Sequence, residues 1–369
     1  YGTNSSYNYL INGSKPVIVK APGLVASDFT WETVTQMDFG FDASFLNNRL
    51  TGTFDWYRRN TKDMLVAGAT LPATLGASVP KSNSADMKTI GWELSLGWND
   101  RLENGFSYWV KGVLSDYQAT ITKYAGNDAG FYSQSDGDGK YYVGQKIGEI
   151  WGYHSNGLFQ SDDEAATIDQ SELYAGKWGA GDVKYEDLDG DGKITKGEET
   201  IYNPGDKSII GNKTPRYQFG ITVGFDYKNF DFEMFWQGTG KRDYMLSGAQ
   251  FWGFTSQWDV PYTPALDYWT ETNTDAYFPR PGWQNGGNRV TSDRYLQSAA
   301  YGRLKNLTVG YTIPKNLTTK WGISRLRLYV TGENLLTITP LNDAFDPETL
   351  GGLTYPINRK VAIGLNLTL

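Results

Sequence analysis

Apolar residues recur at every second position through much of this chain. In "MDFGFDASF", Met37, Phe39, Phe41, Ala43 and Phe45 alternate with Asp38, Gly40, Asp42 and Ser44. Successive side chains of a strand project to opposite faces, so such a segment has one apolar and one polar side. The same period runs through residues 50–57, 90–98, 106–114, 217–227, 230–236, 307–313, 326–330 and 361–369. These runs predict about nine strands of roughly 9–13 residues, the length that crosses a bilayer when tilted. Short polar connections ("NNR", "NDRLENG", "YKN", "PKNLTTKWG") alternate with long ones, near 60–86, 118–215, 238–300 and 339–358. Transmembrane barrels share this asymmetry, with short turns on the periplasmic side and long loops outside.

The pattern therefore predicts an all-β fold, a transmembrane antiparallel up-and-down β-barrel. A soluble sandwich or closed barrel also alternates, with its apolar face inward. Three features favour the membrane. Many strands exceed the usual five or six residues. The polar face carries Gly, Ser, Thr, Asn and Asp rather than Lys and Glu. Aromatic residues collect at strand ends, as at Phe45, Trp56, Trp98, Tyr227 and Trp236, where interfacial girdles form. A barrel leaves no strand edge in lipid, and single-chain bacterial barrels have even strand numbers. About nine strands thus read as the C-terminal portion of a larger barrel.

Composition narrows the chemistry. The 369 residues include 25 Tyr, 17 Phe, 13 Trp and 43 Gly, which suit strands and turns. A net charge of -7 argues against a nucleic-acid partner. The absence of Cys excludes disulfides, thiolate metal sites and cysteine nucleophiles. The single His154 argues against a His-based metal site or a catalytic triad. No apolar run is long enough for a transmembrane helix. No signal peptide is visible at Tyr1, so the numbering starts after processing or within a longer protein.

One segment matches a metal template. In "DLDGDGKITKGE", Asp187, Asp189 and Asp191 take positions one, three and five of a calcium loop. Gly192 follows at the sharp turn, Lys193 offers its carbonyl, Thr195 binds directly or through water, and Glu198 closes the loop with both oxygens. This spacing predicts a structural Ca2+ clamp, EF-hand-like but without flanking helices; nearby Asp182 and Asp206 are expected to be structural. Residues 161–175 predict one short surface helix capped by Ser161 and Glu164. No carboxylate pair stands out as an acid/base couple, and the expectation is a protein that is not an enzyme. Trp252, Trp258, Trp269 and Trp283 suit either sugar platforms or loop cores.

Several blocks resemble the SusC/RagA-type TonB-dependent outer-membrane transporters. They include "DFTWETVTQMDFGFDASFLNNRLTGTFDWYRRNTKDML", "GDVKYEDLDGDGKIT", "IIGNKTPRYQFGITVGFDYKNFDFEMFWQG" and "YPINRKVAIGLNLTL". The resemblance runs in order over nearly the whole chain. It implies a plugged barrel of 22 strands, of which residues 1–369 supply the C-terminal wall and extracellular loops without the plug. It further implies TonB-dependent import of a large nutrient, a glycan or oligosaccharide foremost or else a peptide, with a SusD-like surface lipoprotein as lid. The chain end, Leu369, departs from the family's frequent terminal Phe. The alternatives are a secreted β-rich glycan-binding module, a glycoside hydrolase and a passive porin.

Overall fold

The computed structural model describes residues 2–4, 13, 18–20, 23–27, 29–67, 74, 79–132, 141–350 and 355–369. Two short strands, β1 (Gly2–Asn4) and β2 (Ile18–Lys20), pair with each other. The wall follows: β3 (Thr33–Phe45), β4 (Leu50–Ala67), β5 (Lys81–Arg101) and β6 (Ser107–Tyr124). A long excursion carries β7 (Glu149–Tyr153), β8 (Ser155–Leu158), α1 (Asp162–Ala165), β9 (Val183–Tyr185) and β10 (Lys207–Asn212). The wall resumes with β11 (Arg216–Tyr227) and β12 (Phe230–Lys241). A second excursion carries β13 (Asp243–Met245) and β14 (Leu296–Ser298), and β15 (Tyr301–Thr312), β16 (Arg325–Ile338) and β17 (Lys360–Thr368) complete the chain.

Nine of these strands form one antiparallel sheet in the order β17-β16-β15-β12-β11-β6-β5-β4-β3. Neighbours in this order are also consecutive wall strands, as in an up-and-down barrel. Among the described residues, β3 and β17 each pair on one side only, so the sheet is an open arc of barrel wall. The wall strands outrun their expected ends: β4 reaches Ala67 and β5 starts at Lys81. The extra length has its own packing. Ala85, Ile121 and Tyr124 are buried against Met64, Val66, Met87, Tyr141 and Ile147, a small core at the long-loop end of β4–β6.

The two faces differ as the alternation requires. On the outer face, Phe39 is 63% exposed and Ile363 83%, a state that only an apolar surrounding tolerates for a whole row. At the short-turn end, rings line up across neighbouring strands: Phe106 stacks on Phe225 at 5.4 Å, Phe225 on Phe232 at 5.1 Å, and Phe230 meets Tyr311 at 4.7 Å. Trp98 Nε1 donates to the Tyr108 hydroxyl at 3.1 Å. Amphipathic rings with satisfied polar tips suit the headgroup level.

On the inner face, large rings lie across glycines of the next strand. Tyr57 is directly opposite Gly91, and a Cβ on Gly91 would fall 2.4 Å from that ring. Trp109 covers Gly224 and Tyr329 covers Gly364 in the same way. Each glycine leaves a slot in which a ring lies flat on the wall, not out into the lumen.

The long connections are packed together. Tyr153, Leu158, Val183, Tyr185, Ile194, Leu246, Phe251, Trp252, Phe278, Tyr295, Ala299, Leu341 and Leu350 form one buried cluster drawn from three excursions. Among the described residues, most buried apolar side chains lie here, because the wall itself has lipid on one side and a polar face on the other. Asp182 ties the cluster: Arg280 grips it with two nitrogens at 2.9 and 2.6 Å, and Asn288 Nδ2 donates at 2.8 Å. The last excursion is clamped by Arg303 of β15, only 2% exposed. Its Nη2 donates to Asp346 at 2.6 Å. Its Nη1 lies 3.2 Å from Glu348 Oε2, an ion pair without hydrogen-bond alignment.

Candidate functional site: an acidic loop within the packed excursions

The residues after β9 fold on their own side chains. Asp187 accepts from the N–H groups of Gly190 and Gly192, both at 2.7 Å, through its two oxygens. Asp189 accepts from Asp191 N at 3.1 Å and Asp191 from Lys193 N at 2.8 Å. Short acidic side chains favour such local turns. Gly190 and Gly192 have φ of +79° and +82°, where a side chain is strained. Ile194 is fully buried and anchors the loop in the core described above. Its N–H donates to Asp169 O at 2.7 Å, while Asp169 N donates to Gly192 O at 3.0 Å.

Asp206 enters from beyond the motif. It is fully buried. Its two oxygens accept from Leu188 N at 2.8 Å and Thr195 N at 2.7 Å. Carboxylate oxygens of Asp187, Asp189 and Asp206 all lie within 4.8 Å of one another. Asp191 and Glu198 are outside this group; the Glu198 N–H donates to Asn203 O at 3.0 Å. Thr195 meets Asp206 through its backbone on both sides, since Asp206 N donates to Thr195 O at 3.1 Å. The structure thus gathers motif positions one and three around an aspartate expected to be merely structural. Lys193 lies beside Asp169 in a short parallel bridge.

The electrostatics follow from this crowding. The Gly192 N–H, with those of Gly190 and Asp191, holds the Asp187 carboxyl below the usual aspartate range. For Asp189 the Asp191 N–H pulls down, but desolvation and the charges of Asp191, Asp206 and Asp187 outweigh it and the net shift is upward. Three hard oxygen donors that repel one another are the chemistry that a hard divalent cation relieves, and its remaining ligands would be carbonyls and water.

The expected helix over 161–175 is one turn, α1. Ser161 does cap it, accepting from Glu164 N at 3.1 Å, but Glu164 reaches back to Gln160 N at 2.7 Å. Beyond that turn, Gln170 is buried and serves the strand edge instead: its amide donates to Val183 O at 3.0 Å and accepts from Tyr185 N at 2.9 Å. A continuing helix could not place Gln170 there. The loop tryptophans divide as well. Trp252 is buried and Trp269 packs against the core, whereas Trp258 is 83% exposed and Trp283 47%.

The chain has clear relatives. A family model for the TonB dependent receptor-like β-barrel matches residues 1–335. TonB-dependent receptor P3 of Formosa agariphila is 30% identical over 380 residues, covering 94% of this chain and 35% of that protein. TonB-dependent receptor SusC of Bacteroides thetaiotaomicron is 25% identical over 378 residues, covering 100% of this chain and 35% of that protein. The solved RagAB peptide transporter shares the fold, with a TM-score of 0.74 at 21% identity over 99% of this chain and 38% of that one. The chain spans about a third of the length of the curated relatives it matches. On its two-faced wall and this family match, the chain belongs to the TonB-dependent receptor-like β-barrel family and forms part of an outer-membrane β-barrel.

Proposed function

We propose that the protein to which this chain contributes imports a large nutrient across the outer membrane, with TonB supplying the drive. An oligosaccharide is the favoured cargo and a peptide the second reading, the latter because RagAB, of like fold, is a peptide importer. A SusD-like surface lipoprotein would close over the packed excursions. The observation that carries this reading is the wall itself, with an apolar row outward and a polar, glycine-rich row inward. Its work is binding and passage, which needs no catalytic side chain. The exposed Trp258 and Trp283 offer flat apolar faces at the extracellular end, suited to sugar rings. Titration of the purified full-length protein with its lipoprotein against oligosaccharide and peptide libraries tests it. Saturable oligosaccharide binding, weakened by Trp258→Ala, is expected; saturable binding of peptides alone would favour the second reading. Binding of neither would contradict import.

We further propose that Ca2+ stiffens the acidic loop, with Asp187, Asp189 and Asp206 as charged ligands. Asp191, the Lys193 carbonyl, Thr195 and Glu198 are the remaining donors of the motif. Added calcium should slow protease cleavage within 187–206 of the full-length protein, and chelation should restore it. Cleavage at an unchanged rate would refute the clamp.

A further inference from the structure

Ser208, His154 and Asp293 form a continuous hydrogen-bonded array on the surface of the packed excursions. Ser208 lies in β10, His154 directly follows β7, and Asp293 precedes β14. The Ser208 hydroxyl is 2.7 Å from His154 Nε2, and Asp293 Oδ2 is 2.7 Å from His154 Nδ1. The other Asp293 oxygen accepts from Ser155 N at 3.0 Å, which fixes the carboxylate. The carboxylate can only accept, so Nδ1–H donates to Asp293; in the neutral imidazole the Nε2 lone pair then faces the Ser208 hydroxyl. The side chains of His154 and Asp293 are 35% and 40% exposed, so solutes reach the array.

The backbone holds all three in place. Tyr153 N donates to Thr291 O at 3.0 Å and Asp293 N donates to Tyr153 O at 3.1 Å, seating the Asp293 segment beside β7. Because Tyr153 turns its backbone groups to that segment, the alternation of an antiparallel ladder makes Ser208 and Gly152 the hydrogen-bonded pair. The register then shifts between Ile209 and Gly211, a bulge that bends β10 just past Ser208. Gly152 places no side chain of its own opposite Ser208, and Ile210 Cδ1 and Thr291 O fill the place a Cβ would take there.

We propose that Ser208 is an activated nucleophile toward carboxylic esters carried on molecules reaching the extracellular loops, an activity separate from import. Ser208 Oγ attacks the acyl carbon as its proton passes to His154 Nε2. The same proton goes to the departing alcohol oxygen when the ester C–O bond breaks, leaving acylated Ser208. A water, giving its proton to Nε2, then releases the carboxylic acid and restores the hydroxyl; one water is consumed. Esters fit better than amides, because an ester's alkoxide leaves with less help than an amine.

The test treats the full-length protein in outer-membrane vesicles with a fluorophosphonate probe and locates the adduct by mass spectrometry. An adduct at Ser208 is expected, absent in Ser208→Ala and formed at least about a hundredfold more slowly in His154→Gln. An unchanged limited-proteolysis pattern would show that each variant is folded. Wild-type protein without an adduct at Ser208, or an adduct formed equally fast in a folded His154→Gln variant, overturns the proposal and leaves the array as a staple between two excursions.

Discussion

Asp206 lies outside the twelve-residue acidic motif, yet its carboxylate stands with those of Asp187 and Asp189. The motif was legible because its candidate donors are sequence neighbours at fixed spacing. Asp206 was not, because only the return of the chain toward β10 brings it there. A single histidine argues against a triad on sequence alone, yet His154 stands between Ser208 and Asp293, partners 54 and 139 positions away that only the folded excursions bring to it. Asp206→Asn should remove most of the calcium-dependent protease protection, read as the ratio of cleavage rates with and without the ion. The pH dependence has a definite sign. The Asp187 carboxyl is held below its ordinary value in the folded loop, so its contribution is full above the ordinary aspartate range and is lost as pH falls through the lowered folded value. Loop protection measured by hydrogen exchange should therefore fall only under acid conditions and not between neutral and mildly acidic pH. Ile194→Ala tests the anchor: truncating a fully buried isoleucine costs about 2–5 kcal/mol, expected as faster exchange of the amides around Asp169 and Gly192.

At the scale of elements, period-two alternation located the wall strands, since a one-residue error would turn every apolar side chain inward. The far ends of β4 and β5 escaped it because their register is broken near Met64 and their side chains pack against loop residues. The 161–175 helix was overestimated because Gln170 is consumed by backbone groups of β9, a tertiary demand that local propensity does not contain. Two substitutions on β17 separate its faces. Ile363→Arg puts a charge on the outer row and should destabilise membrane insertion by about 2–4 kcal/mol, measured by denaturant titration of full-length protein in bilayers. Asn366→Arg, on the inner row, should be far milder. Arg303→Ala leaves Asp346 and Glu348 facing a buried gap and should cost about 3–5 kcal/mol, seen as increased exchange confined to residues 339–350.

For the whole molecule, the division of labour follows from solvent. The wall cannot bury much apolar surface against protein, so the packed core gathers in the excursions at one end. The open edges of β3 and β17 need strand partners in lipid, in keeping with a chain that spans about a third of its curated relatives. The outer row meeting hydrocarbon while the inner row meets water is the central claim. The chain contains no Cys, so a single cysteine introduced into it has no competing thiol within this segment. The most direct test places single spin-labelled cysteines by Phe39→Cys, Phe219→Cys and Ile363→Cys on one face and Asp38→Cys, Gln218→Cys and Ala362→Cys on the other, in full-length protein in bilayers. Apolar oxygen should relax the first set and a water-soluble nickel chelate the second. Equal access of the nickel chelate to both sets, or the reverse pattern, would contradict the account.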